Sequence, residues 1–176
     1  MTEPRPRPLL RPIVAADLPT LLALNTDAAP AVNVIPADEL AALVADSALA
    51  LAVDDGDGDG EPAGMLLALP PGLDYPSENY RWFSERATAA GTDFLYVDRV
   101  VVAPRLRGSG VGGRLYAELF AVAVDRGRAE VLCEVNVDPP NPGSMRFHLR
   151  LGFAEVGRQR TKGGTVEVAM LARAAG

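Results

Sequence analysis

Apolar residues along this 176-residue chain recur at two spacings, and the alternation between them lays out the elements. Residues 9–13 predict a first strand at a sheet edge, because Pro12 has no N–H to donate. Leu18, Leu21, Leu22 and Leu24 recur at helical spacing, with Asp17 placed as their cap. A second helix opens at Pro36 and Asp38 and carries Leu40, Leu43 and Val44 on one face. Apolar runs at 48–53 and 63–69 flank an acidic glycine turn, which is a hairpin pattern. Residues 70–93 read as an irregular excursion with a helical piece near 79–87.

Beyond it the pattern predicts a strand over 94–102, a helix over 110–126, a strand over 129–135 and a helix near 144–151. A closing strand pair near 154–159 and 165–172 turns at Gly163-Gly164. The sum is a mixed α/β (α+β) fold with a sheet of about seven strands flanked by about four helices. No repeat or low-complexity linker divides it, so a single domain over 1–176 is expected, with residues 1–8 flexible.

Composition narrows the classes. Hydrophobic residues make up 48% of the chain, yet no apolar run approaches the ~20 residues that would span a bilayer. The net charge of −6 speaks against a nucleic-acid surface and suits a neutral or cationic acceptor such as an amine. The single cysteine, Cys133, falls in an apolar strand; it predicts a buried thiol, no disulfide framework and a cytoplasmic setting. No apolar stretch follows the arginines and prolines of the first eight residues, so no secretory signal is expected. Asp55, Asp57, Asp59 and Gly60 match the first half of a calcium loop, but Leu66 stands where the bidentate glutamate belongs. No metal site is expected.

The most informative stretch runs from Val97 to Tyr116. A β-branched run, a loop with alternate glycines and an amphipathic helix follow one another. Helix N-termini expose N–H groups that no intrahelical carbonyl satisfies, so residues 107–113 predict a pocket for a pyrophosphate or similar anion. A P-loop is excluded, since Gly113-Arg114 stands where a lysine and a hydroxyl residue would be needed. Gly108, Gly110 and Gly113 meet the bare dinucleotide spacing, although no series of alternating strands and helices follows. Arg107, Gly110 and Gly112 meet a third pattern, Arg-x-x-Gly-x-Gly.

Downstream, Asn141-Pro142-Gly143-Ser144 leads into His148 and then Gly152-Phe153. The two motifs, in this order, resemble the acetyl-CoA loop and the second motif of the GNAT N-acetyltransferase superfamily, with His148 where the family usually carries tyrosine. The wording around 79–83 and 134–142 is similar to one subgroup within it. The resemblance covers roughly residues 94–172 in its motifs and the N-terminal half in layout only.

What the resemblance implies is specific. Acetyl-CoA would be the acyl donor, its pantetheine arm paired with the main chain of Val100, Val101 and Val102 as an added strand would be. Its pyrophosphate would lie on Arg107, Gly108, Ser109, Gly110, Val111, Gly112 and Gly113, and Asn141 would hold the arm through its amide. Glu134 is the first choice of general base, since apolar neighbours can raise a carboxylate pKa; its rival role is a solvated glutamate on an edge strand. Asp98 is the second candidate, with an ion pair to Arg99 as its plainer explanation. His148 would be the acid for the leaving thiolate or else a packed structural histidine.

The function implied is acetyl transfer to a small-molecule or peptide amine by direct attack in a ternary complex, with no nucleic-acid or membrane partner and a homodimer left open. Two alternatives stand beside it: a CoA-binding module with weak catalysis, and a dinucleotide-binding protein. The connection from Asn25 to Pro36 and the excursion holding Tyr75, Tyr80, Trp82 and Phe83 would flank the acceptor, or else cover the core.

Overall fold

The computed structural model describes residues 7–56 and 60–176. Most of the flexible start expected over 1–8, and Asp57 and Asp59 of the acidic turn, lie outside the described residues. Seven strands are hydrogen-bonded in the order β1-β2-β3-β4-β5-β7-β6, and five α-helices accompany them rather than about four. β4 and β5 run parallel while β5 and β7 run antiparallel, so the sheet is mixed. Two compact units divide the chain: Met1–Ala68 with Asp98–Glu118, and Leu69–Val97 with Leu119–Gly176.

In the first unit, β1 (Leu9–Pro12) pairs with β2 (Leu49–Asp54), which pairs with β3 (Pro62–Leu69). Pro12 ends the outermost strand, as its missing N–H requires. Every residue of β3 is buried, which matches its unbroken apolar run. Helices α1 (Leu18–Asp27) and α2 (Ala37–Asp46) bury Leu21, Leu40 and Leu43. Asp17 departs from expectation. Its carboxylate does not cap α1; it accepts from the Val14 N–H at 2.8 Å and from both Arg11 terminal nitrogens. The stronger charged partner wins the carboxylate, and a backbone donor from the preceding turn takes the remaining capacity.

In the second unit, the excursion is more regular than its composition indicates. Helix α3 spans Glu78–Ala90, because Ser77 accepts from the Tyr80 N–H at 3.2 Å and Gly91 closes the other end in the left-handed region, at φ 63°. Tyr80 and Phe83 are buried in the core, and the Tyr80 hydroxyl donates to the Pro70 carbonyl at 2.8 Å. These two aromatics therefore cover the core. Strand β4 (Phe94–Val102) and helix α4 (Val111–Asp125) give residues to both units. Strand β5 (Glu130–Asp138) pairs in parallel with β4 from Phe94↔Glu130 to Tyr96↔Leu132 and antiparallel with β7 (Val166–Ala174) along its length. Helix α5 (Pro142–Arg150) leads to β6 (Ala154–Thr161).

The last strand in the chain is not the last in the sheet. β7 carries the run Val168-Ala169-Met170-Leu171, all buried, and lies between β5 and β6. β6 alternates Glu155, Arg158 and Arg160 with small residues and takes the edge, where a charged strand resists pairing with other chains.

Candidate active site

The glycine loop of the first unit is built around main-chain groups. A single 3-10 turn, Pro104–Leu106, precedes it, and the Leu106 carbonyl accepts from the Ser109 hydroxyl at 2.6 Å. Gly108 and Gly110 follow at φ 77° and 83°, a region costly for side-chain-bearing residues. Added Cβ atoms at Gly108, Gly110 and Gly113 would meet nothing within 4 Å, so backbone conformation rather than crowding sets the need for glycine at the first two. The Gly110 carbonyl accepts the first bond of α4, from the Arg114 N–H at 3.2 Å. The N–H groups of Val111, Gly112 and Gly113 thus belong to the turn that has no intrahelical acceptor. Val111 is 2% exposed and anchors the turn, while Arg107 is exposed. Unsatisfied N–H groups at a helix start, with the helix dipole behind them, are able to take up an anion.

Strand β4 leads into that loop. The Ala103 N–H donates to the Ala63 carbonyl at 2.8 Å, and a Cβ on Gly64 would come within 2.7 Å of the Val101 carbonyl oxygen. Val101 and Ala103 therefore present their main chain to β3. By strand alternation, Val100 and Val102 turn theirs to the opposite edge. Of the three valines, these two have the orientation that an added strand on that edge would use.

Asp98 is drawn into a buried ion pair. Arg99 Nε donates to Asp98 Oδ2 at 2.7 Å, with side chains 1% and 4% exposed respectively. Arg99 Nη1 also donates to Asn25 Oδ1 at 2.8 Å, and Asn25 Nδ2 donates to the Asn33 carbonyl at 3.0 Å. Sequence reasoning placed Asn25 at the start of a loop and missed this tie. The one available signal was a polar residue on the apolar side of α1. This is the ion pair that the sequence offered as the plainer explanation of Asp98.

In the second unit, Glu134 stands on β5, between β4 and β7 in the strand order and so on no edge strand. It is half-buried, and its Oε1 accepts from the Tyr96 hydroxyl at 2.9 Å. Cys133 beside it is buried as expected; burial, with a smaller effect of the Glu134 charge, pushes its thiol well above the ordinary range, so it is an inert neutral group. Asn141 caps α5, its Oδ1 accepting from the Ser144 N–H at 3.2 Å. That leaves the amide nitrogen as the end able to donate to a ligand.

His148 is held as a packing group. It is 3% exposed, edge-on to Phe147 and Phe153 at ring distances of 5.2 and 5.4 Å. Its Nδ1 lies 2.8 Å from the Ser144 carbonyl, a contact that assigns the proton to Nδ1 and makes Nε2 an acceptor in the neutral ring. Burial lowers its pKa from the ordinary value, against a smaller opposing effect of that bond. Burial disfavours the charged ring that an acid role would use, and the contacts are those of the packed histidine that the sequence also allowed.

Among the described residues, no group of three or more His, Cys, Asp or Glu side chains is placed to hold a metal ion. The model of the acetyltransferase (GNAT) family matches residues 20–153. The chain belongs to this family. It is accordingly an acyltransferase, with acetyl-CoA as the family's acyl donor, which replaces the dinucleotide alternative. None of the curated proteins matches the sequence.

Similar solved structures include NAA60 of Arabidopsis thaliana in complex with a bisubstrate analogue, at 19% identity and TM-score 0.75 over 95% of this chain and 97% of that one. The same protein in complex with acetyl-CoA aligns at 18% identity and TM-score 0.75, over 95% and 99%. The ribosomal-protein-S18-alanine N-acetyltransferase of Escherichia coli aligns at 16% identity and TM-score 0.68, over 96% and 94%. At such identities the likeness concerns the fold. No helix among the described residues is long and apolar enough to cross a membrane.

Proposed function

We propose that this GNAT acetyltransferase moves the acetyl group of acetyl-CoA to a primary amine by direct attack, with Glu134 as the general base. The observation that carries the proposal is the carboxylate itself: half-buried on an interior strand, with one oxygen already oriented by a buried phenol. The family match runs through residues of both units, which supports 1–176 acting as one acetyltransferase domain.

In this proposal the first-turn N–H groups of α4 and the loop from Arg107 to Gly113 hold the pyrophosphate, and the main chain of Val100 and Val102 holds the pantetheine arm. Asn141 keeps its cap through Oδ1 and offers its amide N–H to the arm. Acetyl-CoA supplies an activated thioester carbonyl. The attacking nitrogen gives up a proton to Glu134 as the C–N bond forms and the C–S bond breaks. The departing thiolate takes its proton from solvent, since a thiol of pKa about 8.5 is a tolerable leaving group. Ser144 Oγ lies 3.3 Å from His148 Nδ1, but that nitrogen carries its proton toward the Ser144 carbonyl at 2.8 Å and so is no base for the hydroxyl, and Cys133 stays neutral.

The acceptor is a peptide or small-molecule amine. A net charge of −6 favours neutral or cationic acceptors and disfavours nucleic acid, and a buried free thiol suits the cytoplasm. Free-CoA release measured over peptide α-amines, amino acids and polyamines identifies the class. With the best of these, Glu134→Gln is expected to lower turnover roughly 100-fold or more with unchanged CoA affinity. Turnover equal to that of the unsubstituted protein would remove Glu134 from the mechanism.

A further inference from the structure

The Tyr96 hydroxyl is in direct contact with Glu134. Tyr96 stands on β4 and is 1% exposed. Its ring is enclosed by Tyr80 at 5.5 Å, interplanar angle 70°, and by Phe83 at 5.8 Å. Tyr80 is itself fastened, its hydroxyl donating to the Pro70 carbonyl at 2.8 Å and accepting from the Leu73 N–H at 3.0 Å. The only polar atom of Tyr96's side chain donates to Glu134 Oε1 at 2.9 Å. A donor so confined has one direction in which to act.

We propose that Tyr96 is a positioning residue for Glu134: its caged hydroxyl fixes one carboxylate oxygen and keeps the group in its charged, proton-accepting form. This rests on Glu134 being the base. A hydrogen bond donated to a carboxylate favours the ionised state, so Tyr96 offsets the opposite pull of the apolar strands. Tyr96 reaches Glu134 from β4, and Met170 stands directly opposite it on β7. Orientation matters as much as charge. A carboxylate free to rotate spreads its lone pairs over directions that do not meet the amine proton.

Tyr96→Phe removes the hydroxyl and keeps the ring that the cage packs against. Two measurements on the full chain test the proposal. In the first, the Glu134 carboxyl carbon is titrated by NMR in 13C-glutamate-labelled protein without acceptor, the signal being assigned by its loss in Glu134→Gln. Its midpoint is expected about one pH unit higher in Tyr96→Phe than in the unsubstituted protein. In the second, turnover is followed with the amine selected by the CoA-release screen. The kcat of Tyr96→Phe is expected to fall about tenfold, the KM for acetyl-CoA to stay, and the acidic limb of the kcat/KM profile to move to higher pH.

Because Tyr96 acts through Glu134, the double variant Tyr96→Phe with Glu134→Gln should be no slower than Glu134→Gln alone. An unmoved midpoint, or unchanged kcat in Tyr96→Phe, overturns the positioning role. A further loss in the double variant also overturns it, by showing that the phenol acts on the substrate directly. Full turnover in Glu134→Gln instead overturns the base assignment itself, so the two failures are told apart.

Discussion

The glycine loop of the first unit and the polar side chains of the second unit solve opposite problems. Around Gly108 and Gly110 the chain offers main-chain groups, the Ser109 hydroxyl being tied to the Leu106 carbonyl, and added Cβ atoms at the glycines would meet nothing within 4 Å. In the second unit Glu134 is bonded to Tyr96, while Asn141 and His148 are both bonded to Ser144. The starts of the two helices make the contrast sharpest. α5 closes its first turn with the Asn141 oxygen, whereas α4 begins at a glycine that has no side chain with which to close it. An open turn is suited to an anion that brings its own oxygens; a closed set keeps side chains oriented for proton transfer and packing. Substitutions in the open loop should therefore cost ligand binding and little stability, and those in the closed set should do the reverse unless the residue also reaches the substrate.

The largest expected effect breaks the open side. Gly110→Asp places a negative charge at the start of α4, and two like charges about 4 Å apart near a surface repel by about 4 kcal/mol. CoA affinity measured by calorimetry should fall roughly 1,000-fold, while a thermal melt moves only a few degrees. A folded variant with unchanged affinity would show that the pyrophosphate lies elsewhere.

A smaller effect divides Asn141 between its two duties. Asn141→Asp retains the capping oxygen and adds a charge that the helix start favours, but it removes the amide donor. Thermal stability should hold or rise slightly, and CoA affinity should drop about tenfold, the worth of one hydrogen bond. Asn141→Ala should lose both, with about 1 kcal/mol of stability gone. If Asn141→Asp binds CoA as the unsubstituted protein does, the residue is a cap and nothing more.

The smallest effect concerns pH. His148 has a folded-state pKa below its ordinary value of 6.5, so the unfolded chain takes up the proton first as pH falls. Stability from this group is present above about pH 6.5 and is lost as pH drops from there toward the lowered folded value. Melting temperatures taken from pH 7.5 to pH 5 should decline, and His148→Phe should flatten that stretch of the curve. An unchanged slope in His148→Phe would assign the decline to other groups.

Much of this was legible in the chain. The strand over 94–102 and the helix that follows it were read at nearly their observed bounds, because a β-branched run and a glycine turn are local signals. The glycine loop was legible for the same reason: main-chain conformation is written in the residue that has none to forbid. Helix α3 was underestimated, since Ser77 and Gly91 mark its ends while Asn79, Arg81 and Ser84 blur the apolar period between them. The role of Asp17 was misjudged because Arg11 took its carboxylate, whereas Asp98 makes the Arg99 pair named as its plainer explanation. In both cases the arginine was close in sequence, yet which oxygen it meets is set by the folded chain.

The sequence by itself determined the family, the conformation of the glycine loop and the places of Glu134 on its strand and Asn141 before its helix, all of which depend on residues within a few places of one another. The tertiary structure alone decided that β7 enters the sheet between β5 and β6, that Asn25 ties a loop to Arg99, that His148 packs as a neutral ring, and that Tyr96 reaches Glu134 from 38 positions away. The physical reason is common to all four. Hydrogen bonds and burial between distant residues depend on which strands become neighbours, and that choice is made by the whole apolar surface competing for the interior.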